Sequence, residues 1–431
     1  YKSVSDIPGE VDLACISVPF SHVLNAVEDC VRKKVKNAMV ITSGFSEVGK
    51  VEEERRMVQI AREGGMRILG PNMFGIFSAK SSLVANFGSK DISKGHVAII
   101  TQSGALGIAM MGRTASENIG LSAMISVGNK ADLDESDLLS YLENDDNTRV
   151  IMMYMEGVTR GALLMKTLSR VTAKKPVIVI KSGRSKRGAL AAASHTGSLA
   201  GQDEVFDDLM KQCGVLRAES LEEAFSWSKF LADASVLLGK NCVIVTNGGG
   251  IGVMATDACE KYGVSLYDDI EVLRNSYKDS TPSFGSMKNP IDITGQARKE
   301  EYDLALGAGL NIDKIHCVIA LYCETALFTP LQISDMVKEN YKKHFDAKKP
   351  IVFCLIGGSK IDQAIIELRN QGVPVFEDVY QAVSCLGALY AFSNRKHYEQ
   401  DFFEAEMDVD AIRQVVKEAV SDGRHFLLSR E

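Results

Sequence analysis

A chain of 431 residues is long for one domain and lets two or three domains each bury a core of their own. An apolar share of 45% with 24% charged residues is that of an ordinary globular protein, and the net charge of -7 argues against a nucleic-acid partner, which needs a basic face. No apolar run is long enough to span a bilayer and no signal peptide is apparent, so a cytoplasmic protein without a membrane partner is expected.

Residues 11–19, VDLACISVP, predict a short strand, and SHVLNAVEDCVRKKV after it has helical periodicity. NAMVITSGF predicts the next strand, ending at Gly44, and a charged helix follows over about residues 51–64. MRILGPNMFGIF comes next, with the turn signals Gly70, Pro71 and Asn72 just past its strand. Strand and helix alternate throughout, which predicts an α/β fold with parallel sheets covered by helices. Ligands of such sheets bind at the carboxyl ends of the strands, where VPFSH, TSGFSE and GPNMFG sit. The glycine-rich turn that opens such a domain is expected before Tyr1.

From residue 95 onward the sequence repeats itself. HVAIITQSGALG matches NCVIVTNGGGIG, pairing Thr101 with Thr246 at an offset of 145. VIMMYME matches VIALYCE, pairing Glu156 with Glu324 at 168, and KKPVIVI matches KKPIVFC at 174. After that strand GVLRAESLEEAF matches GVPVFEDVYQAV at 158, so the first copy carries 16 more residues there. The extra residues fall within the stretch 181–201, KSGRSKRGALAAASHTGSLAG, which reads as a small-residue loop. It holds His195, and a neutral imidazole is a nucleophile able to carry a transferred group. A merely solvated histidine is the open alternative. Lys181, Arg184, Lys186 and Arg187 flank it, either steering an anion or forming a solvated turn.

Each copy also turns from strand to helix through glycine, at Ser103 and Gly104 and at Gly248, Gly249 and Gly250. Free backbone N–H groups and the positive end of a helix dipole make such turns anion sites, and two at equivalent positions can hold one phosphoryl group between them. Tight strand–helix packing is the alternative. A carboxylate at Glu156 could orient the imidazole of His195, or simply cap the next helix, with Glu324 as the internal control. His22, His96, His316, His344, His397 and His425 lack metal-ligand spacing and read as surface or core residues, and no metal site is expected. The nine cysteines are spread singly without a CxxC pair, which predicts buried free thiols. The tail after about Lys396 is polar and helical and reads as a linker into a further module.

GHVAIITQSGALG, the VIMMYME strand, SHTGSLAG, NGGGIGV and NPIDITG, together and in this order, resemble the alpha subunits or alpha halves of nucleoside-diphosphate-forming acyl-CoA synthetases. The resemblance is to the ADP-forming acetate–CoA ligase type, within the succinyl-CoA synthetase superfamily. It implies a Rossmann-like CoA-binding domain over 1–90, truncated at its start, flavodoxin-like domains over 94–235 and 239–395, and a linker over 396–431. It implies that His195 is phosphorylated and Glu156 holds it, with Ser103, Gly104, Gly248, Gly249 and Gly250 cradling the phosphate. Val18, Pro19, Phe20, Ser21, Ser43, Gly44, Phe45, Ser46, Pro71 and Asn72, with the segment running on to Phe74, fall where relatives contact coenzyme A and the acyl group.

The implied reaction has phosphate attack acyl-CoA to give acyl phosphate and CoA, after which His195 takes the phosphoryl group and passes it to ADP. ADP or ATP with Mg2+ would bind an ATP-grasp module, fused or on a beta subunit, in a homodimer or heterotetramer. Two other readings stand beside this one: a regulatory acyl-CoA-sensing module of a protein acetyltransferase-like protein, and a nicotinamide-dependent oxidoreductase fragment. His195 argues against the first, and the lack of a dinucleotide fingerprint against the second.

Overall fold

Short apolar strands alternating with amphipathic helices assemble into three sheets in the computed structural model, which describes residues 1–196, 203–395 and 408–424; the side chains of 192–196 and 409 lie outside that description. The chain divides into two units, Tyr1–His397 and Tyr398–Glu431. In the first unit, β1 (Leu13–Ile16), α1 (Phe20–Arg32), β2 (Asn37–Val40), α2 (Val51–Glu63) and β3 (Arg67–Leu69) give a three-stranded parallel sheet in the order β1-β2-β3. α1 buries Val23, Val27 and Cys30, spaced along one face, and ends on Arg32 at the negative end of its dipole.

The second sheet is built from β4 (Gly75–Ser78), β5 (Leu83–Asn86), β6 (Lys94–Thr101), α3 (Gly104–Ser116), β7 (Leu121–Ser126), α4 (Glu135–Leu142), β8 (Val150–Met155), α5 (Gly161–Thr172), β9 (Val177–Lys181), α6 (Lys186–Thr196), α7 (Asp203–Gln212), β10 (Leu216–Arg217) and α8 (Leu221–Asp233). Its order is β10-β9-β8-β6-β7-β4-β5. The hairpin β4–β5 lies within the stretch expected to form the first domain, yet it pairs antiparallel with β7 and so extends this sheet. β7 and β9 are buried along their whole length and β8 at every residue but the half-buried Tyr154, as strands covered by helices on both faces must be.

The third sheet comprises β11 (Cys242–Thr246), α9 (Gly249–Tyr262), α10 (Ile270–Tyr277), β12 (Ile291–Asp292), α11 (Lys299–Asn311), β13 (Cys317–Cys323), α12 (Pro330–Asp346), β14 (Ile351–Ile356), α13 (Ser359–Asn370), β15 (Val375–Phe376) and α14 (Val379–Ser393), in the order β12-β11-β13-β14-β15. Strand for strand this reproduces β7-β6-β8-β9-β10, so the sequence repeat is a repeat of structure. One apolar cluster joins the two copies, with Ile99 and Met152 on one side and Ile244 and Val352 on the other. Trp227 of α8 donates Nε1–H to Ser384 of α14 at 3.1 Å across the join. The second unit contributes α15 (Val409–Ser421). No described helix is long and apolar enough to cross a membrane.

Two readings of the sequence need correction. The stretch expected to be a small-residue loop is helical through Thr196, as α6. Ala189, Ala191, Ala192 and Ala193 are small but are also the strongest helix formers, and Ser185 opens the helix by accepting the Gly188 N–H at 3.0 Å. The second correction concerns the repeat. In the sheets Val97 pairs with Val150 and its counterpart Cys242 pairs with Cys317, an offset of 167 and not 168 for this strand. The opposite neighbour agrees, since Met155 pairs with Lys181 while Tyr322 pairs with Leu355, the counterpart of Lys181. The structural counterpart of Glu156 is therefore Cys323, and Glu324 stands where Gly157 does. A one-residue slip along a strand reverses the face on which a side chain emerges, so Glu324 is not the mate of Glu156.

Candidate active site

The segments expected to hold coenzyme A meet at the carboxyl ends of β1, β2 and β3. Val18 and Pro19 lead into α1, and Thr42 donates Oγ1–H to the Val18 carbonyl at 2.6 Å. Phe20 packs edge-on against the buried Phe45 ring with centroids 4.8 Å apart, while Lys50 Nζ lies 3.8 Å from the Phe20 centroid. Ser21 lies one residue further along α1 and is exposed, and Ser43 is exposed just before Gly44. Gly44 and Phe45 both donate backbone N–H groups to Glu47, and Ser46 donates N–H and Oγ–H to Glu54 at 3.2 and 2.8 Å.

Pro71 and Asn72 are tied to the second sheet. Asn129 donates its backbone N–H to the Pro71 carbonyl at 2.9 Å, and its Oδ1 accepts from Asn72 Nδ2 at 3.2 Å. The approach depends on Gly128, with φ of +54°, where a Cβ would sit 2.0 Å from the Pro71 carbonyl oxygen. Asn129 also donates Nδ2–H to Glu47 at 2.6 Å and to Glu54 at 2.8 Å. Burial alone would raise the Glu47 carboxyl, but the hydrogen bonds from Gly44, Asn129 and Phe45 lower it on balance. Thr42 and Glu47 lie within the TSGFSE stretch at the end of β2, whereas the contacts of Glu54 and Asn129 with these segments were not foreseen from the sequence. A Gly–Asn turn signal marks only the last.

The buried Asp132 fastens the same region from below. It accepts from Arg62 and Arg67 side chains at 2.7 to 2.9 Å and from the Ile68 N–H at 2.9 Å. Phe74, fully buried, fills the space opposite Gly107 in the first turn of α3, joining the end of this segment to the first glycine turn.

The two glycine turns are built alike. Thr101 Oγ1 donates to the Ser103 carbonyl at 3.0 Å, and Thr246 Oγ1 to the Gly248 carbonyl at 2.9 Å. Ser103 caps α3 by accepting the Leu106 N–H at 3.3 Å, whereas Gly248 begins α9 without a side-chain cap. A Cβ built on Gly104 or Gly250 would meet nothing within 4 Å. One on Gly248 would come within 3.3 Å of Cys323 Sγ, and one on Gly249 within 3.3 Å of the Asp292 carboxylate. Packing therefore explains the glycine at 107 but not at 104 or 250, where open space lies over N–H groups at a positive helix end.

Glu156 follows β8 and is only 8% exposed. Its backbone N–H and that of Gly157 both donate to Gln102 Oε1, the second at 3.1 Å. Its carboxylate lies against the phenol of Tyr154, whose acidity is weakened first by burial, with Ser182 opposing, and then by the neighbouring Glu156 charge. Lys181 Nζ donates to the Glu156 carbonyl at 2.9 Å, and burial lowers its pKa, with Asp203 opposing. The Phe206 ring centroid lies 5.7 Å from Lys181 Nζ and 5.3 Å from the Arg217 guanidinium. Glu156, Lys181 and Phe206 also line a cavity of about 400 Å3 with Leu164 and Met210. His195 belongs to the last turn of α6, and its side chain lies outside the described residues.

All nine cysteines are free. Seven are buried as expected, Cys323 is half-buried and Cys15 is exposed on β1. Among the described residues no group of three or more His, Cys, Asp or Glu side chains is placed to hold a metal ion.

Three domain families match the chain: a CoA binding domain over residues 1–78, a succinyl-CoA ligase like flavodoxin domain over 94–231 and a ligase-CoA domain over 242–398. The fold and these domains together define a CoA ligase on the succinyl-CoA ligase plan. The chain is 48% identical over 404 residues to the alpha subunit of acetate–CoA ligase (ADP-forming) I from Pyrococcus furiosus, covering 93% of this chain and 87% of that one. It belongs to the ADP-forming acetate–CoA ligase family. A longer relative, acetate–CoA ligase (ADP-forming) I of Archaeoglobus fulgidus, is 37% identical across 97% of this chain, which spans 60% of its length. The family thus includes both alpha subunits and longer single chains. The solved structure of dinucleotide forming acetyl-coenzyme A synthetase 1 from Ca. Korarchaeum cryptofilum, in complex with phosphate and ADP, superposes with a TM-score of 0.88 at 44% identity, covering 91% of this chain and 85% of that one.

Proposed function

We propose that the chain is the CoA-handling part of an ADP-forming acetate–CoA ligase, an acid–thiol ligase that turns acyl-CoA, ADP and phosphate into carboxylic acid, CoA and ATP. The observation that carries this reading is the 48% identity to a Pyrococcus furiosus alpha subunit across 93% of the chain. On this reading CoA and the acyl group lie along Val18 to Ser21, Ser43 to Ser46, Pro71 and Asn72, where three strand ends converge. Phosphate attacks the thioester carbonyl, expelling CoA and leaving acyl phosphate. The His195 imidazole then attacks phosphorus, the P–O bond to the acyl group breaks and the carboxylate departs. Glu156 accepts a hydrogen bond from the other ring nitrogen and so keeps the attacking lone pair available.

The open helix ends at Gly104 and Gly250 would neutralise the charge of the phosphoryl group, as positioning and electrostatics must in a transfer of this kind. ADP, with Mg2+, is assigned to an ATP-grasp module that receives the phosphoryl group, either fused to this chain or on a beta subunit, within a homodimer or heterotetramer. The compartment is read as the cytoplasm.

The test is to give the complete enzyme acetyl-CoA and labelled phosphate. The expected product is an acid-labile, base-stable phosphate on this chain that the His195→Ala protein fails to acquire. Equal labelling of that variant would refute the role of His195.

A further inference from the structure

Past the end of β8 the backbone leaves its sheet, and its polar groups would ordinarily turn to water. At Glu156–Gly157 all four are instead bound by side chains. Gln102 Oε1 accepts both N–H groups, Lys181 Nζ donates to the Glu156 carbonyl at 2.9 Å, and Lys130 Nζ donates to the Gly157 carbonyl at 2.8 Å. Both ammonium groups are buried, Lys130 beside the buried Glu135 at 2.9 Å and Lys181 also bonded to the Ser182 carbonyl at 2.6 Å. Taking an ammonium ion out of water costs several kcal/mol, more than a surface turn requires for its placement.

The second copy of the fold supplies the comparison. There Asn247, the counterpart of Gln102, bonds the Cys323 N–H and carbonyl at 2.8 and 2.9 Å. Glu324 donates its N–H to the Ile356 carbonyl at 2.8 Å, and Leu355 occupies the place of Lys181. A neutral amide and a backbone carbonyl therefore hold three of the four groups where no histidine follows. The cationic clamp occurs in the copy that carries His195. Gln102 also immediately precedes Ser103, so a single side chain links the first glycine turn to the peptide that bears the carboxylate.

We infer that Gln102, Lys130 and Lys181 are positioning residues for the phosphohistidine step, acting through Glu156; this rests on the reading that Glu156 serves His195. None of the three needs to touch the phosphoryl group. Their task is to fix the Glu156 peptide, and with it the carboxylate, relative to the turn at Ser103 and Gly104. Misplacement by about 1 Å is enough to slow such a step by about a hundredfold.

The experiment is a double-mutant cycle on the complete enzyme, following transfer of label from phosphorus-labelled acetyl phosphate to this chain by rapid quench. Gln102→Met is neutral and close in size, and thermal unfolding is recorded beside it; Lys181→Met runs through the same cycle should that variant not fold. Gln102→Met is expected to slow labelling about 10- to 100-fold while leaving KM for acetyl-CoA within about threefold, and to change the rate less than about twofold once Glu156 is already alanine. Equal slowing in both backgrounds, or none in either, overturns the positioning role alone. Wild-type labelling by Glu156→Ala overturns the reading of Glu156 and this inference with it.

Discussion

Asn129 Nδ2 lies 2.6 Å from Glu47 Oε2, so a loop of the second sheet holds a carboxylate of the first. Glu47 in turn receives the backbone N–H groups of Gly44 and Phe45, and Asn129 Oδ1 receives Asn72 Nδ2. One side chain therefore sets the spacing between two of the three segments assigned to CoA and its acyl group.

Asn129→Leu should open that spacing. It leaves Glu47 and Glu54 without their shared donor, at a cost of about 1 to 3 kcal/mol in stability. KM for acetyl-CoA should rise about tenfold while the rate of phosphohistidine labelling from acetyl phosphate stays close to wild type. Steady-state kinetics alongside the labelling assay checks this, and an unchanged KM would remove Asn129 from the CoA site.

The glycine turns allow packing and ligand binding to be separated. Alanine at 107 would place its Cβ 2.4 Å from Phe74 Cε1 and 2.7 Å from Thr101 Cγ2, so Gly107→Ala should destabilise the protein by about 1 to 3 kcal/mol. Alanine at 104 meets no atom within 4 Å, and Gly104→Ala should keep the wild-type unfolding midpoint yet slow phosphoryl transfer about tenfold or more. If Gly104→Ala loses nothing in the transfer assay, phosphate does not lie over that turn.

Alternation of apolar strands with periodic helices made the parallel sheets legible, because burial on both faces leaves an unbroken apolar run such as VIVI in β9. Position within a strand was less legible. MYME and LYCE look alike letter for letter, but the register of two neighbouring strands, not similarity, decides that Cys323 is the counterpart of Glu156. α6 was hidden because alanine suits a loop by size and a helix by propensity. The contacts of Asn129 with Glu47 and of Lys130 with Gly157 join residues 82 and 27 positions apart, and no local pattern announces such pairs.

Glu324 has a role of its own in the structure. Its Oε2 accepts the Gly358 N–H at 2.6 Å, placing a negative charge at the amino end of α13. Glu324→Ala should therefore cost about 1 kcal/mol of stability, as loss of a helix cap does, and leave phosphohistidine labelling at the wild-type rate. Loss of labelling in this variant would restore Glu324 as a functional mate of Glu156 and contradict the sheet register.

A pH dependence is expected at His344, fully buried in the last turn of α12 with Nδ1 3.2 Å from the Lys349 carbonyl and Nε2 3.4 Å from that of Leu306. Burial lowers its pKa to about 4, against the two carbonyl hydrogen bonds, with Lys349 and Lys343 adding to the depression. A histidine whose folded pKa lies below its unfolded value of about 6.5 leaves the native state with fewer bound protons than the unfolded chain. Its contribution is therefore complete above about pH 6.5 and is lost as pH falls towards 4, by about 3 kcal/mol at most over that window. Carboxylates titrate in the same range, so the measurement must be a difference: urea unfolding of wild type and His344→Gln at intervals from pH 7.5 to 4.5. The variant should start less stable at pH 7.5, because its buried site is less well filled, and should lose less on acidification, so that the two curves converge. Parallel curves would mean that the imidazole gains its proton without leaving the core, with the two carbonyls sufficing to hold the charge.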